Sequence, residues 1–172
     1  KRMYFPYFRG RQYELLALKE LAKGGLLSKS VIPVVEPVKL VRKDEKFVVP
    51  YKVIPSFDIT VKAFITSKHA IAFIYNPTVG DLATIPKAIT SLYAYLSSDE
   101  VIPAVIINEN TPNCLADLEA NKGSKDTILS VFDKRDSLSV YLNEFDKVSP
   151  RYTLFPDERQ IRRAVKQNKV MF

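Results

Sequence analysis

Polar and charged side chains follow each of six apolar runs in the sequence, and they are of the types used in acid–base, metal and anion chemistry. Carboxylate and amide oxygens can hold Mg²⁺ or move protons, and arginines bind anions such as phosphate. Three carboxylates are the candidate catalytic residues, namely Glu36, Asp133 and Asp157. The candidate ligand-binding residues are Arg9, Arg11, Lys39, Asn76, Asn108 and Glu109, and Mg²⁺ is the candidate cofactor.

Glu36 is the strongest single candidate, because it ends an otherwise apolar run at residues 31–37. A carboxylate in such a place is costly to bury unless it has partners. A simpler interpretation stays open for the whole set. Loops between strands and helices are polar in any case, and Asp or Asn there often caps the next helix.

The elements that must position these side chains alternate along the chain. Apolar runs typical of buried strands occur at residues 4–8, 31–35, 70–75, 101–107, 127–132 and 152–155. Segments with helical spacing lie between or after them, at residues 13–22, 59–67, 81–96, 112–120, 138–148 and 158–169. The stretch 41–54 fits neither pattern and is expected to form a β-hairpin or excursion.

This alternation predicts an α/β fold of repeated strand–helix units whose strands pair in parallel. Two arrangements compete: a partial or truncated barrel of the TIM type, and a doubly wound open sheet. The length of 172 residues favours the open sheet, since a full barrel takes roughly 250 residues. In both arrangements ligands bind at the carboxyl ends of the strands, which is where the candidate residues are expected.

Three short motifs are similar to those of the bacterial and phage "Beta protein" family. Residues 4–18 read YFPYFRGRQYELLAL, residues 31–39 read VIPVVEPVK and residues 74–80 read IYNPTVG. The resemblance covers residues 4–39 and 70–80, and the chain departs from the pattern in its length and in the excursion at residues 41–54. It implies a barrel-like α/β fold in a phage-related or defence protein with no established reaction. It also implies that residues 1–172 are a single domain, or the N-terminal part of a longer barrel.

Composition bounds the class of protein. No apolar run approaches the roughly 20 residues that cross a bilayer, so we expect a cytoplasmic protein without a membrane partner. A single Cys and a single His exclude a structural zinc site of the usual Cys/His type. Residues 1–75 carry a charge balance of +8, residues 76–150 of −5 and the last 22 residues of +4. The basic balance admits nucleic acid as a partner without establishing it.

Two functions follow as hypotheses. The first is partner or ligand recognition on a barrel-like scaffold, with a protein partner or self-association through an open barrel edge. The second is metal-assisted hydrolysis of a phosphodiester or phosphate ester by Glu36 and the later carboxylates. The two differ in whether those carboxylates converge closely enough to share a metal ion.

Overall fold

The computed structural model describes residues 2–121 and 123–155, in which strands and helices alternate. The strands are β1 Tyr7–Phe8, β2 Val34–Val35, β3 Arg42–Lys43, β4 Lys46–Phe47, β5 Ile71–Ile74, β6 Val101–Ile107, β7 Leu129–Phe132 and β8 Tyr152–Leu154. The α-helices are α1 Gln12–Lys23, α2 Pro55–Thr66, α3 Asp81–Thr84, α4 Thr111–Ala120 and α5 Leu138–Glu144. Three further segments are 3-10 helices, at Pro86–Ser97, Lys125–Thr127 and Arg135–Ser137.

Six strands form one parallel sheet in the order β1-β2-β5-β6-β7-β8, and β3 and β4 form a separate antiparallel hairpin. In the register, Tyr7 lies opposite Val34 and Val34 opposite Ala72. The predicted α/β fold with a parallel sheet is confirmed. The strand order follows the chain without reversing, as in βα barrels, whereas a doubly wound sheet has a point where the order reverses. The order therefore favours the barrel-type arrangement of the two that the sequence allowed.

The chain divides into two compact units, one ending at Ile102 and the other beginning at Pro103. The division falls within β6, so each unit contains part of that strand. The expectation of a single domain stays a prediction. Each unit is described by itself below.

The core of the first unit joins two helices to the buried strands. Leu15, Leu18 and Ala22 recur at helical spacing on the buried face of α1, and α2 packs against that helix. The hydroxyl of Thr60 in α2 donates to the carbonyl oxygen of Leu15 at 2.8 Å. Every residue of β5 is buried, which is typical of parallel strands covered on both faces. Burying each large apolar side chain contributes about 1.5–3 kcal/mol.

The core of the second unit centres on the strands after Ile102 and on two helices. Leu115 and Leu118 of α4 are buried, as are Ala104, Val105 and Ile107 of β6. Three aromatic rings complete the core: that of Tyr141 lies 5.1 Å from that of Phe132 and 5.2 Å from that of Phe145. The described part of this unit is therefore held by its own apolar contacts.

Most predicted elements are present, and the differences have local causes. The hairpin expected within residues 41–54 is confirmed as β3 and β4. Helix α2 begins at Pro55 rather than at residue 59, because proline suits the first turn of a helix. The segment 81–96 is not one helix: α3 ends at Thr84, and Ile85 has φ −128° because the residue before proline avoids the α conformation. The predicted helix at residues 158–169 lies outside the described residues.

Within the described ranges, no helix is both long and apolar enough to cross a lipid bilayer.

Candidate functional site

The carboxylate of Glu36 is fully buried and accepts four hydrogen bonds. Its Oε2 atom accepts from the hydroxyl of Tyr7 at 2.6 Å and from Nη1 of Arg9. Its Oε1 atom accepts from the backbone N–H of Thr78 at 2.9 Å and from the Thr78 hydroxyl at 3.3 Å. All four residues belong to the first unit. We call them the Glu36 cluster.

Three neighbouring parallel strands bring the Glu36 cluster together at their carboxyl ends. Tyr7 lies in β1 and Arg9 follows it by two residues, so both side chains leave the chain on the same side. Glu36 comes directly after β2, and its backbone N–H donates to the carbonyl oxygen of Phe8 at 2.9 Å. Thr78 lies in the loop after β5. The cluster therefore occupies the edge of the sheet where ligand sites of parallel folds lie.

The turn after β1 fits closely against the backbone of Glu36. Gly10 has φ +60°, and a Cβ atom there would lie 2.9 Å from the carbonyl oxygen of Glu36. Only glycine tolerates both the left-handed conformation and this approach. The turn thus fixes the direction in which Arg9 leaves the strand.

The loop after β5 joins the Glu36 cluster to the hairpin. Asp81, at the start of α3, is buried, and its carboxylate accepts from the backbone N–H of Leu40 at 3.1 Å and from Arg42 at 2.5 Å. Its own N–H donates to the carbonyl oxygen of Val38 at 2.7 Å. One loop therefore carries both a donor to Glu36 and the anchor of the hairpin.

The hydrogen bonds of Glu36 decide what the site can do chemically. Each carboxylate oxygen already accepts from two donors, so Glu36 cannot take up a proton from a substrate without losing them. Arg9 differs, because 48% of its side chain is exposed and a guanidinium carries five N–H donors. Its Cζ atom also lies 5.5 Å from the centre of the Tyr7 ring. Glu36 is suited to hold Arg9 and Tyr7 in place, and Arg9 is suited to bind an anion.

The other predicted residues of the first unit have separate surroundings. Asn76 is buried just after β5. Arg11 is exposed at the start of α1, where its backbone N–H donates to the Glu14 carboxylate at 3.0 Å. Lys39 is exposed beside the hairpin. Of the five predicted residues in this unit, the described contacts join only Arg9 to Glu36.

The predicted residues of the second unit follow β6 and β7. The Asn108 side chain accepts from the N–H of Asn110 at 2.9 Å, which shapes the turn before α4 as the simpler interpretation expects. Glu109 and Asp133 are exposed. Asp157 lies outside the described residues.

The expected Mg²⁺ site has no counterpart among the described residues. In that part of the chain, no three Asp, Glu, His or Cys side chains are grouped so that they could hold a metal ion. The Glu36 cluster supplies one carboxylate and an arginine, which is a poor donor set for a divalent cation.

Sequence reasoning did not single out Tyr7, Thr78 or Asp81 as parts of the site. Tyr7 could have been found, since it lies two residues before Arg9 in a predicted strand and so faces the same way. Thr78 contributes a backbone N–H, which any residue except proline carries, so its identity gives no signal. Asp81 reads from the sequence as an ordinary residue of a helix start.

His69 and Cys114 are both buried and structural. The ring nitrogens of His69 each lie 3.0 Å from a backbone carbonyl oxygen, those of Ser28 and Ala70. Burial raises the pKa of the Cys114 thiol to about 12, and the charge of Asp117 adds to the effect. Such a thiol is a poor nucleophile, although it lies in the first turn of α4.

A groove of about 340 Å³ lies between α1 and α2 in the first unit. Its lining residues are Lys23, Ile59, Lys62, Ala63, Thr66 and Ser67. They come from the C-terminal halves of the two helices and the residue after α2, whereas Glu36 follows the carboxyl end of a strand. The groove is therefore separate from the Glu36 cluster.

Comparison of the chain with protein-family models, with curated proteins and with solved structures gave no match. The similarity to the Beta protein family thus rests on the three motifs alone. Two of the motifs contain the Glu36 cluster's Tyr7, Arg9 and Glu36, and the third contains Thr78. Function has to be inferred from the geometry of that cluster.

Proposed function

We propose that this chain is a recognition protein that binds an anionic group of a ligand or partner at Arg9, with Glu36 as a positioning residue. The observation that supports this proposal is the Glu36 cluster itself. A fully buried carboxylate with four donors holds a half-exposed arginine at the carboxyl edge of the sheet. An arginine fixed in this way loses less side-chain entropy when it binds an anion than a free one does.

Hydrolysis by Glu36 has less support. A general base must accept a proton from water or substrate, yet both oxygens of Glu36 are occupied by donors. A metal-assisted reaction needs several oxygen ligands around one ion, and the described residues offer no such group. Recognition without catalysis therefore accounts better for the arrangement.

The similarity to the Beta protein family extends the proposal to phage-related or defence systems of the cytoplasm. A protein partner or a second copy of the chain would bind along an open strand. In the sheet order β1 is an outer strand, and Arg9 follows it directly. An acidic group on such a partner would thus meet Arg9 at the end of that edge.

A thermal-shift experiment tests the proposal with inorganic phosphate, pyrophosphate and citrate, each against chloride at equal ionic strength. A ligand that binds the folded chain raises its melting temperature. At a concentration about ten times its Kd the rise is about 3–5 °C for a chain of this size. We expect at least one anion to give this shift, and R9Q to abolish it.

The control is K62Q, which removes one positive charge from an exposed side chain of α2. It should keep the ligand-induced shift of the unsubstituted chain. The shift, and not the melting temperature itself, is compared, because R9Q also weakens the Glu36 cluster. Equal shifts in R9Q and K62Q, or no shift with any of the three anions, would refute anion binding at Arg9.

A further inference from the structure

The excursion at residues 39–53 is an antiparallel ribbon, called the basic ribbon below. Its tip is the hairpin of β3 and β4, in which Arg42 pairs with Phe47 and Lys43 with Lys46. Its base is closed by a bridge between Leu40 and Val53 and by a hydrogen bond of 2.8 Å from the Val41 N–H to the Lys52 carbonyl oxygen. The ribbon is thus an ordered element.

The basic ribbon is fixed at its base and exposed along its length. Leu40 and Val53 are 4% and 5% exposed, so the base is part of the core of the first unit. Asp81 binds the backbone N–H of Leu40 and the guanidinium of Arg42. The residues beyond this anchor, from Arg42 to Lys46, are all exposed.

Four lysines of the ribbon lack a carboxylate partner. Among the described residues, none lies within ion-pair distance of an Asp or Glu; they are Lys39, Lys43, Lys46 and Lys52. Lys43 and Lys46 also lie directly opposite each other, and like charges in that position destabilise a strand pair. The turn residues Asp44 and Glu45 offset only part of this repulsion. An anion bound between the two lysines would remove it.

Aromatic rings accompany these charges. The guanidinium of Arg42 lies 4.5 Å from the centre of the Phe47 ring, which makes an edge contact with Tyr51 at 6.3 Å. Tyr51 is 37% exposed, so part of its ring is open to a ligand. Planar groups such as nucleic-acid bases stack on exposed aromatic rings of this kind.

We infer that the basic ribbon binds single-stranded nucleic acid, with Lys43 and Lys46 on the phosphates and Tyr51 against a base. The lysines are distributed along the ribbon and do not converge on one point, so they suit an extended chain of negative charges better than a small anion. The exposed ring next to them distinguishes a nucleic acid from other polyanions. This inference depends on the ribbon's own residues and holds whether or not Arg9 binds an anion.

Fluorescence anisotropy of the full chain with labelled oligomers of about 15 thymidine or uridine nucleotides tests the inference. The titration is repeated between about 50 and 300 mM salt. We expect K43Q/K46Q to weaken binding about tenfold or more, and to reduce the slope of log K against log salt by about 1. Tyr51→Leu keeps an apolar side chain but removes the ring, and it should weaken binding by about tenfold with an unchanged slope.

The matched control is K23Q/K62Q, which removes the same two charges from exposed lysines of α1 and α2. It should bind as the unsubstituted chain does. Equal weakening by both double variants would show that only net charge matters and would overturn the assignment to the ribbon. Circular dichroism checks that each variant is folded.

Two other polymers test the class of ligand. Poly-glutamate of similar length should bind much more weakly, because it offers no bases to Tyr51. A duplex of the same length should also bind more weakly, since its bases are already stacked. Tighter or equal binding of either polymer, or no binding of the oligomers up to about 100 µM, overturns the inference.

Discussion

At the scale of single residues, the Glu36 cluster depends on the distinction between groups that only donate and groups that can also accept. The guanidinium of Arg9 and the backbone N–H of Thr78 can only donate a hydrogen bond. They bind different oxygens of the carboxylate, Oε2 and Oε1 respectively. A carboxylate is the side-chain group that satisfies both of them at once.

Glu36→Gln should therefore destabilise the fold despite its near-identical shape. Whichever way the amide is turned, its NH₂ group faces Arg9 or the Thr78 N–H, and neither can accept. We expect the free energy of unfolding to fall by about 2–3 kcal/mol, measured by urea denaturation. Thr78→Ala is the control, because it removes only the hydroxyl bond of 3.3 Å and should cost less than about 1 kcal/mol. Equal losses in the two variants would contradict this account.

The buried thiol of Cys114 gives a pH-dependent prediction. Its pKa rises from 9.0 to about 12, so the folded chain keeps the thiol protonated where an unfolded chain would ionise it. A chromogenic disulfide reagent at about pH 8 should react with it only after urea is added. The stability that the thiol contributes is complete below about pH 9 and is lost as the pH rises toward about 12. Rapid reaction of the folded chain at about pH 8 would show that the thiol is accessible.

The candidate residues were predictable to different degrees. Glu36 stood out because a carboxylate ends an apolar run, and a buried charge requires partners. The partners themselves depend on which strands are neighbours, and the sequence does not state that β5 lies beside β2. Asn108 shows the opposite case, since its amide shapes a turn before a helix, as polar loop residues commonly do.

At the scale of elements, the loop between β5 and α3 holds the first unit's functional edge together. Gly80 in this loop has φ +75°, and a Cβ atom there would lie 2.5 Å from the carbonyl oxygen of Val38. The same loop supplies Thr78 to Glu36 and Asp81 to the basic ribbon. Its path is therefore set by one close backbone contact.

Gly80→Ala should displace this loop and cost at least about 3 kcal/mol of unfolding free energy, from the left-handed backbone and the steric overlap together. Gly25→Ala is the matched control: Gly25 has φ +63°, but nothing lies within 4 Å of the position of its Cβ. It should cost only the conformational term, about 1–2 kcal/mol. Urea denaturation compares the two. Similar costs would mean that the approach to Val38 relaxes freely.

The elements were predictable where one physical effect dominates. The apolar run of β6 was predicted with its full extent, because all seven residues are buried and β-strand formers are frequent in it. The segment 81–96 was not, because its apolar spacing suits one helix while Pro86 prevents the α conformation at Ile85. Here a local backbone effect overrides the pattern.

At the scale of the whole molecule, charge is distributed unevenly along the chain. Residues 1–75 carry 14 Lys or Arg against 6 Asp or Glu, while residues 76–150 carry 6 against 11. Opposite charges on separate copies attract each other at low ionic strength and are screened at high ionic strength. The overall charge of +7 limits this attraction but does not abolish it.

Sedimentation velocity at about 20 mM and about 300 mM salt tests this consequence. At the lower salt concentration we expect the sedimentation coefficient to rise with protein concentration, as copies associate. At the higher concentration that dependence should disappear. Association that persists equally at both salt concentrations would point instead to apolar contacts or to strand pairing at the edge of the sheet.

The strand order has a consequence for how the protein forms during synthesis. Strands β1, β2 and β5 pair side by side in the order in which they leave the ribosome. The last donor to Glu36 is Thr78, and the last anchor of the basic ribbon is Asp81. Every contact of both sites is therefore available once about half of the chain has emerged, since domains fold from the N-terminus as they are made. The nascent chain can begin to assemble its functional edge while the second unit is still being translated.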